Sequence, residues 1–454
     1  MTDISRYIDE HLDEAIAQLA GYVALPSISA QGQAIAETAD FVRAMLESVG
    51  ATAEVVEKEA PGHPVVLGEL PGAASTTLLL YNHYDVQPPE PLDLWTAPPF
   101  EQRRDGQKLF GRGISDNKGH LISRLLAIKA LQAVLPGKDG ALPVTVKFLV
   151  EGDEEIGSPK LHEFVERHRE RLAADVCLHE GGGVNASGRP SVSLGVKGVL
   201  PVGLHVRTAA RDVHSSLGAT VPNAAWRLVW ALASLKDGNE RVRIAGFYDD
   251  VRPPTEQEDA FLRELPSEED KLLENLELRD FVCGVRGYDY QRRLIFEPTC
   301  TINGLDSGYQ GPGMKTVLPA EASAKLDFRL VPDQDPNDIT EKLRRHLASE
   351  GFGDVEVRSP GGEFPARSDA SHPFVELVRS TAREVYGKEP VTTPNGPGTQ
   401  PLYPMMSILG VPMASAGIGH PDGRAHAPDE NIRIEDFVLG TKHVAAIIEA
   451  LGEG

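Results

Sequence analysis

His83 ends the apolar run Leu78-Leu79-Leu80-Tyr81-Asn82, and Asp85 follows two residues later. An imidazole that binds a metal needs a partner for its other ring nitrogen, often a carboxylate, which fixes tautomer and orientation. Asp85 lies on the same side of an extended chain as His83 and could be that partner. Carboxylates recur in comparable places. Asp116 sits in the glycine-flanked turn Gly111-Arg112-Gly113-Ile114-Ser115-Asp116-Asn117-Lys118-Gly119. Glu154 and Glu155 follow the apolar run 144–150, Glu180 follows Val176-Cys177-Leu178-His179, and His426 lies in Gly423-Arg424-Ala425-His426-Ala427-Pro428. Two imidazoles and three carboxylates suit two divalent ions that share one bridging carboxylate. Two such ions, about 3.5–4 Å apart, can clamp a nucleophilic water and a carbonyl oxygen. The remaining carboxylate can then act as general base.

Taken singly, each residue has an ordinary reading. His83 could be a hydrogen-bonded histidine at a strand end. Glu151, Asp153, Glu154 and Glu155 could form a solvated loop, although so much like charge after a buried strand requires cations or arginines to relieve it. His179 competes with Glu180 for a ligand role. His214 could be a cap, Arg329 could pair with a surface acid, and Gly396-Pro397-Gly398 could be an idle turn. That turn lacks the lysine and spacing of a phosphate loop. Gly-x-Ser-x-Gly and His-Glu-x-x-His are also missing, which removes the usual serine-hydrolase and single-zinc protease signatures.

Such residues need a scaffold that gathers strand ends. A short apolar run bounded by polar residues and proline reads as a strand buried on both faces. Open α/β sheets place their ligands outside the carboxyl ends of the strands. Apolar spacing predicts helices at 4–23, ended by Pro26, and at 34–48, capped by Gly50. Strands are expected at 51–57, 64–69 and 76–82, then a helix to about 134 stopped by Pro136-Gly137, then a strand at 144–150. Ser158-Pro159 supplies an N-cap and first-turn pair for the next helix. Strands alternating with helices over 1–195 indicate an α/β fold, a mostly parallel sheet with helices on both faces.

The texture then changes. Residues 197–207 and 322–331 alternate, helices fit 222–235 and 336–349, and a strand fits 353–358. Lys325, Asp327 and Arg329 share one face of their strand. Strand, helix, strand, strand, helix, strand suggests a small α+β domain inserted in the chain. The acidic patch Ser267-Glu268-Glu269-Asp270 reads as a solvated helix start. Beyond 373 come a helix to 386, a glycine-rich loop, a strand near 411–415 and a helix at 435–450. The expected division is a catalytic domain in two parts, 1–197 and 366–454, around an insertion at 198–365.

Composition bounds the partners. A chain of 454 residues is too long for one core. Its formal charge of −22 argues against nucleic acid and anionic membrane. Three unclustered cysteines offer no disulfide framework, and with no apolar leader the expected setting is the cytoplasm.

Asn82-His83-Tyr84-Asp85-Val86-Gln87-Pro88, Gly111-Arg112-Gly113 through Asp116-Asn117-Lys118-Gly119, and Glu154-Glu155-Ile156-Gly157-Ser158 resemble the signature blocks of the two-zinc aminoacylase and carboxypeptidase family, nearest its carnosinase-like dipeptidases. The likeness runs from near residue 10 to the C-terminus. It implies a zinc-exopeptidase-like catalytic domain and a ferredoxin-like lid and dimerisation domain. It implies two Zn²⁺ per subunit, with Mn²⁺ or Co²⁺ compatible with the same ligands. His83 and Glu180 would hold one metal, Glu155 and His426 the other, and Asp116 would bridge them. Glu154 would be the general base, acting on a metal-bridged hydroxide, and Asp85 the partner of His83. Asp212-Val213-His214-Ser215 resembles the lid motif whose imidazole binds the substrate carbonyl in the neighbouring subunit. Arg329, Thr316 and the loop residues Gly398 and Thr399 match segments that hold the substrate's carboxylate end. The Asp116–Asn117 peptide would be cis. Glu180 stands where carnosinase-like enzymes carry aspartate, which resembles the carboxypeptidase and desuccinylase branches. Thr399 stands where a serine is common. The implied activity is cleavage of dipeptides or short peptides with a free C-terminal carboxylate, by a homodimer. The alternatives are an N-acetyl or N-succinyl amino acid hydrolase and an inactive metal-binding relative.

Overall fold

The computed structural model describes residues 2–135 and 141–453. They fall into two units, the second made of Val196–Ala366 with Asn395–Gln400 and the first of the remaining segments. The expected helix stop at Pro136-Gly137 lies outside the described residues. Among those residues, no helix is long and apolar enough to cross a membrane.

The first unit is organised by a six-stranded sheet. Its order is Thr52–Val56, Val65–Leu70, Thr145–Glu151, Thr77–His83, Val176–His179 and Met413–Ser415. The last four run parallel, and the first two pair antiparallel at one edge. Leu78, Leu79, Leu80 and Tyr81 are fully buried, so both faces of their strand are covered. Each such side chain contributes roughly 1.5–3 kcal/mol. The covering helices include Gly119–Val134, which packs on Thr2–Glu10 and on Ile434–Glu453. Ile35–Ser48 packs on the two antiparallel strands. Register aligns His83 with Glu151, and Glu180 directly follows the neighbouring strand. The sheet therefore delivers its chemistry-bearing residues at one edge.

The second unit has a four-stranded antiparallel sheet in the order Thr299–Ser307, Glu321–Leu330, Gly198–Arg207, Glu356–Arg358. Numbered along the chain, that is 2-3-1-4, the ferredoxin-like arrangement. Helices Ala224–Leu235 and Pro336–Ser349 cover one face and close its core around Phe328, Leu326 and Leu343.

Four local expectations change. The helix expected over 4–23 is two, Thr2–Glu10 and Leu12–Val23, broken at His11. Ser158 does not cap a helix: it has φ +46 and donates to Glu151 at 2.9 Å, and the helix begins at Leu161. The second unit carries three further helices, Glu256–Glu264, Glu269–Asn275 and Gly287–Phe296. The acidic patch is only partly solvated, because Glu269 is buried and accepts the Gly287 N–H.

Candidate metal centre

Two groups of three donors form at the sheet edge. Ligand atoms of His83, Glu154 and Glu180 lie within 4.8 Å of one another, and so do those of Asp116, Glu155 and His426. Asp116 touches both histidines. One of its carboxylate oxygens is 3.0 Å from His83 Nε2 and the other 3.2 Å from His426 Nε2. Glu180 is 3.3 Å from His83 Nε2, and Glu155 is 3.0 Å from His426 Nε2. The Asp116–Asn117 peptide is cis. Gly113 takes φ +82 at the start of this turn, a conformation glycine adopts without steric cost.

Asp85 does two jobs. It faces His83 Nδ1 at 3.2 Å, and its two oxygens accept the backbone N–H groups of Glu154 and Glu155 at 3.2 and 3.0 Å. One buried carboxylate thus sets both the imidazole and the short turn Glu154–Ile156. Gln87 adds a bond to each oxygen type of Glu155, backbone and side chain, both at 3.0 Å. Neither bond was readable from spacing, since Glu154 and Glu155 are far along the chain. Gln87, the partner of Glu155, stands two residues from Asp85 in the same block, and that proximity was the available signal. Gly152 is required in the acidic run because a side chain there would collide with the Tyr84 hydroxyl, 2.1 Å from the Cβ position.

The acidic run divides in two. Glu151 and Asp153 point away from the donor groups and share Lys58, 3.2 Å from Glu151. Tyr81 donates to Glu151 at 2.6 Å. This half is neutralised inside the protein. Among the described residues, no lysine pairs with Glu154 or Glu155. His179 is also accounted for: its Nε2 lies 3.2 Å from the Ser193 carbonyl, and burial pushes its pKa down to about 4. It is a neutral structural histidine, while Glu180 faces His83.

Charge balance in the centre calls for cations. Burial raises the Glu154 pKa well above the usual carboxylate value, reinforced by Glu180 and opposed by His83. Glu180 is pushed up to about 8, by burial first, with His83 opposing and Asp116 reinforcing. Hydrogen bonds to Asp116 and Glu155 push His426 up to about 10. Burial alone would depress His83, yet Glu180, Asp116 and Asp85 outweigh it and hold the imidazole well above its ordinary value. Two protonated imidazoles therefore stand where metal charge would stand, and metal binding would release those protons. Oxygen and imidazole donors in two triads, with one carboxylate reaching both, fit two divalent ions.

The remaining sequence-predicted residues lie in the second unit. His214 and Thr316 pair at 3.2 Å through His214 Nε2. The Ser216 backbone N–H donates to His214 Nδ1 at 3.1 Å. An N–H can only donate, so Nδ1 is the acceptor and the neutral ring carries its proton on Nε2. Arg329 Nη1 donates to Thr399 Oγ1 at 2.9 Å, and Gly398 accepts the Lys197 N–H at 3.0 Å. Arg329 Nε also lies 3.4 Å from Asp327.

The chain is similar to known metallopeptidases. The model of peptidase family M20/M25/M40 matches residues 79–450. A solved M20 family metallo-carboxypeptidase from Sulfolobus solfataricus is 38% identical with a TM-score of 0.89, covering 97% of this chain and 100% of that one. A Beta-Ala-His dipeptidase of Homo sapiens is 27% identical, over 98% of this chain and 91% of its own length. A Cys-Gly metallodipeptidase of Schizosaccharomyces pombe is 27% identical, over 98% and 97% respectively.

Proposed function

The chain belongs to peptidase family M20/M25/M40 and is a metallopeptidase, and from that premise we propose that it cleaves the amide bond of dipeptides or other short peptides ending in a free carboxylate. The observation that carries this reading is the pair of donor triads joined through Asp116. Relatives named as dipeptidases and as a carboxypeptidase support the substrate class.

His83, Glu180 and Asp116 would hold one divalent ion and Asp116, Glu155 and His426 the other. Zn²⁺ suits these donors, as do Mn²⁺ and Co²⁺. When bound, the pair would supply Lewis-acid activation of a water and of the scissile carbonyl. The chain's own residues do the rest. Glu154 takes a proton from the attacking water and passes it to the leaving amine. Asp85 keeps His83 and the Glu154 turn in place. His214, protonated on Nε2, donates to the developing oxyanion. Arg329 offers a planar fork to the substrate carboxylate, with Thr316, Gly398 and Thr399 completing that end.

The active unit is a homodimer in this reading. Trp226, Val229 and Trp230 are 57%, 45% and 55% exposed on one helix of the second unit, and such a face suits a second copy. Sedimentation should give twice the monomer mass. The decisive assay is a panel of dipeptides beside N-acetyl and N-succinyl amino acids, on protein reconstituted with Zn²⁺, Mn²⁺ or Co²⁺. Turnover confined to N-acyl substrates would replace the dipeptidase reading with an amidohydrolase. No turnover on any substrate, with metal bound, would mark an inactive relative.

A further inference from the structure

The loop carrying His426 has a costly backbone. Arg424, His426 and Asp429 take φ of 55°, 62° and 57°, in the left-handed region that non-glycine residues avoid. Such conformations persist only where the surroundings over-determine them. Part of the constraint is backbone pairing: Asn431–Arg433 runs antiparallel to Lys108–Phe110, and Gly111 N–H donates to the Glu430 carbonyl at 3.0 Å.

A further part comes from the Glu430 side chain, which is fully buried. One carboxylate oxygen accepts the N–H groups of Ser115 and Asp116 at 2.8 and 3.0 Å. The other accepts the Gly113 N–H at 2.9 Å and Arg112 Nη1 at 2.7 Å. All four donors belong to the turn that presents Asp116, and one is the Asp116 amide itself. The acceptor belongs to the loop that presents His426. The other triad is tied differently: Asp85 joins His83 to the Glu154 turn, and buried Arg124 donates to the Tyr81 and His179 carbonyls at the ends of the two strands that lead to His83 and Glu180.

We propose that Glu430 is a positioning residue that locks the Asp116 turn to the His426 loop and so sets, above all, the geometry of the Asp116–Glu155–His426 group, to which those two segments bring two of the three donors. This rests on the metal-binding reading above. It makes no contact with substrate or with the reacting atoms. Its effect reaches them through where Asp116 and His426 stand.

The test is Co²⁺ titration of the full-length metal-free protein, followed by calorimetry and visible absorption. Wild-type protein should take up two equivalents. Glu430→Gln keeps the volume and one acceptor oxygen, and should weaken one equivalent by about 10–100-fold and the other, which shares Asp116, by clearly less. Arg112→Gln leaves the three backbone donors and should give a smaller loss at the same equivalent. Combined with His426→Ala, Glu430→Gln should add little further loss, since both act on one group. Unchanged affinity for both equivalents in Glu430→Gln overturns the inference, with the metal reading intact. So does an equal weakening of both, accompanied by a lowered unfolding midpoint, which is the mark of a general packing role. If Glu430→Gln does not fold, Arg112→Gln decides: a loss clearly larger at one equivalent supports the lock, and no loss or an equal loss at both rejects it. Wild-type protein that binds no Co²⁺ sinks the metal reading itself and this inference with it.

Discussion

The two donor triads are built from different material. His83 and Glu180 terminate parallel strands, with side chains 0% and 3% exposed, and sheet register fixes where they stand. Asp116 and His426 come from loops and are 30% and 53% exposed. The inner triad takes the places of His83 and Glu180 from the core, and only Glu154 needs a dedicated hydrogen bond there, from its amide to Asp85. The outer triad has to be held by dedicated hydrogen bonds, from Asp85 and Gln87 to Glu155 and from Glu430 to the Asp116 turn. A site can thus be rigid on one side by architecture and on the other by a few buried polar contacts, and the two sides should fail differently.

The largest contrast is between the adjacent residues Glu154 and Glu155. Glu154→Gln should keep both metals and lower turnover by about 10²–10⁴-fold, the usual worth of a positioned general base. Glu155→Gln should release metal from the outer triad. Metal content and kcat measured on the same samples separate the two. Metal loss in Glu154→Gln would make Glu154 a ligand of the inner triad and remove it from the base role, an outcome its place within 4.8 Å of His83 and Glu180 makes worth testing.

Next in size is the cost of removing each histidine from the metal-free protein. His83 is sealed among Glu180, Asp116 and Asp85. His83→Ala leaves those carboxylates buried without their cation, and a loss of about 3–5 kcal/mol is expected in urea unfolding. His426 is half exposed, so water can replace it, and His426→Ala should cost about 1 kcal/mol or less. Equal losses would erase the distinction between an inner and an outer triad.

These contrasts also show where the sequence was informative. Strands at 76–82 and 144–150 were visible because a strand buried on both faces must be a continuous apolar run. The second unit's alternation at 197–207 and 322–331 was visible because one face is solvated. The three helices between 256 and 296 were missed because they are short and charged and bury few apolar residues, around Leu262, Ile295 and Phe296. One signal was present, the Thr255–Glu258 capping box. Lys58 and Glu430 were invisible for another reason. Each is a single charged residue in an unpatterned loop, and its meaning comes only from partners that folding brings to it. The acidic run shows the same limit: its charge density pointed to compensation, but only the fold assigns Lys58 to Glu151 and Asp153 and leaves Glu154 and Glu155 to the centre.

A histidine outside the centre sharpens the comparison by sign. His443 is buried, its Nε2 lies 3.0 Å from the Val378 carbonyl, and burial pushes its pKa down to about 4. Its unfolded-state value is about 6.5. The unfolded chain binds the proton first, so stability falls as pH drops from about 6.5 to 4, by on the order of 3 kcal/mol. His83 and His426 shift the other way, because carboxylates surround them. His443→Gln should flatten the acid limb of the stability–pH curve and leave metal uptake unchanged. An unaltered acid limb would mean that other groups govern it.

The smallest effect tests how far outward the holding of the outer triad extends. Thr96 reaches Asp429, in the same loop as His426, with its N–H at 3.0 Å and its hydroxyl at 2.6 Å, at an exposed site. Thr96→Val keeps the first bond and deletes the second. A hydrogen bond in reach of water contributes about 0.5–1.5 kcal/mol, and water can replace this one, so the low end applies. Unfolding midpoints should barely move, and affinity for the outer metal should fall no more than a few-fold. Glu430 differs in kind, because its four donors would be left buried and unmet. If Thr96→Val weakened the outer metal as much as Glu430→Gln does, the His426 loop would be held from the surface, and the buried carboxylate would be only one of several interchangeable ties.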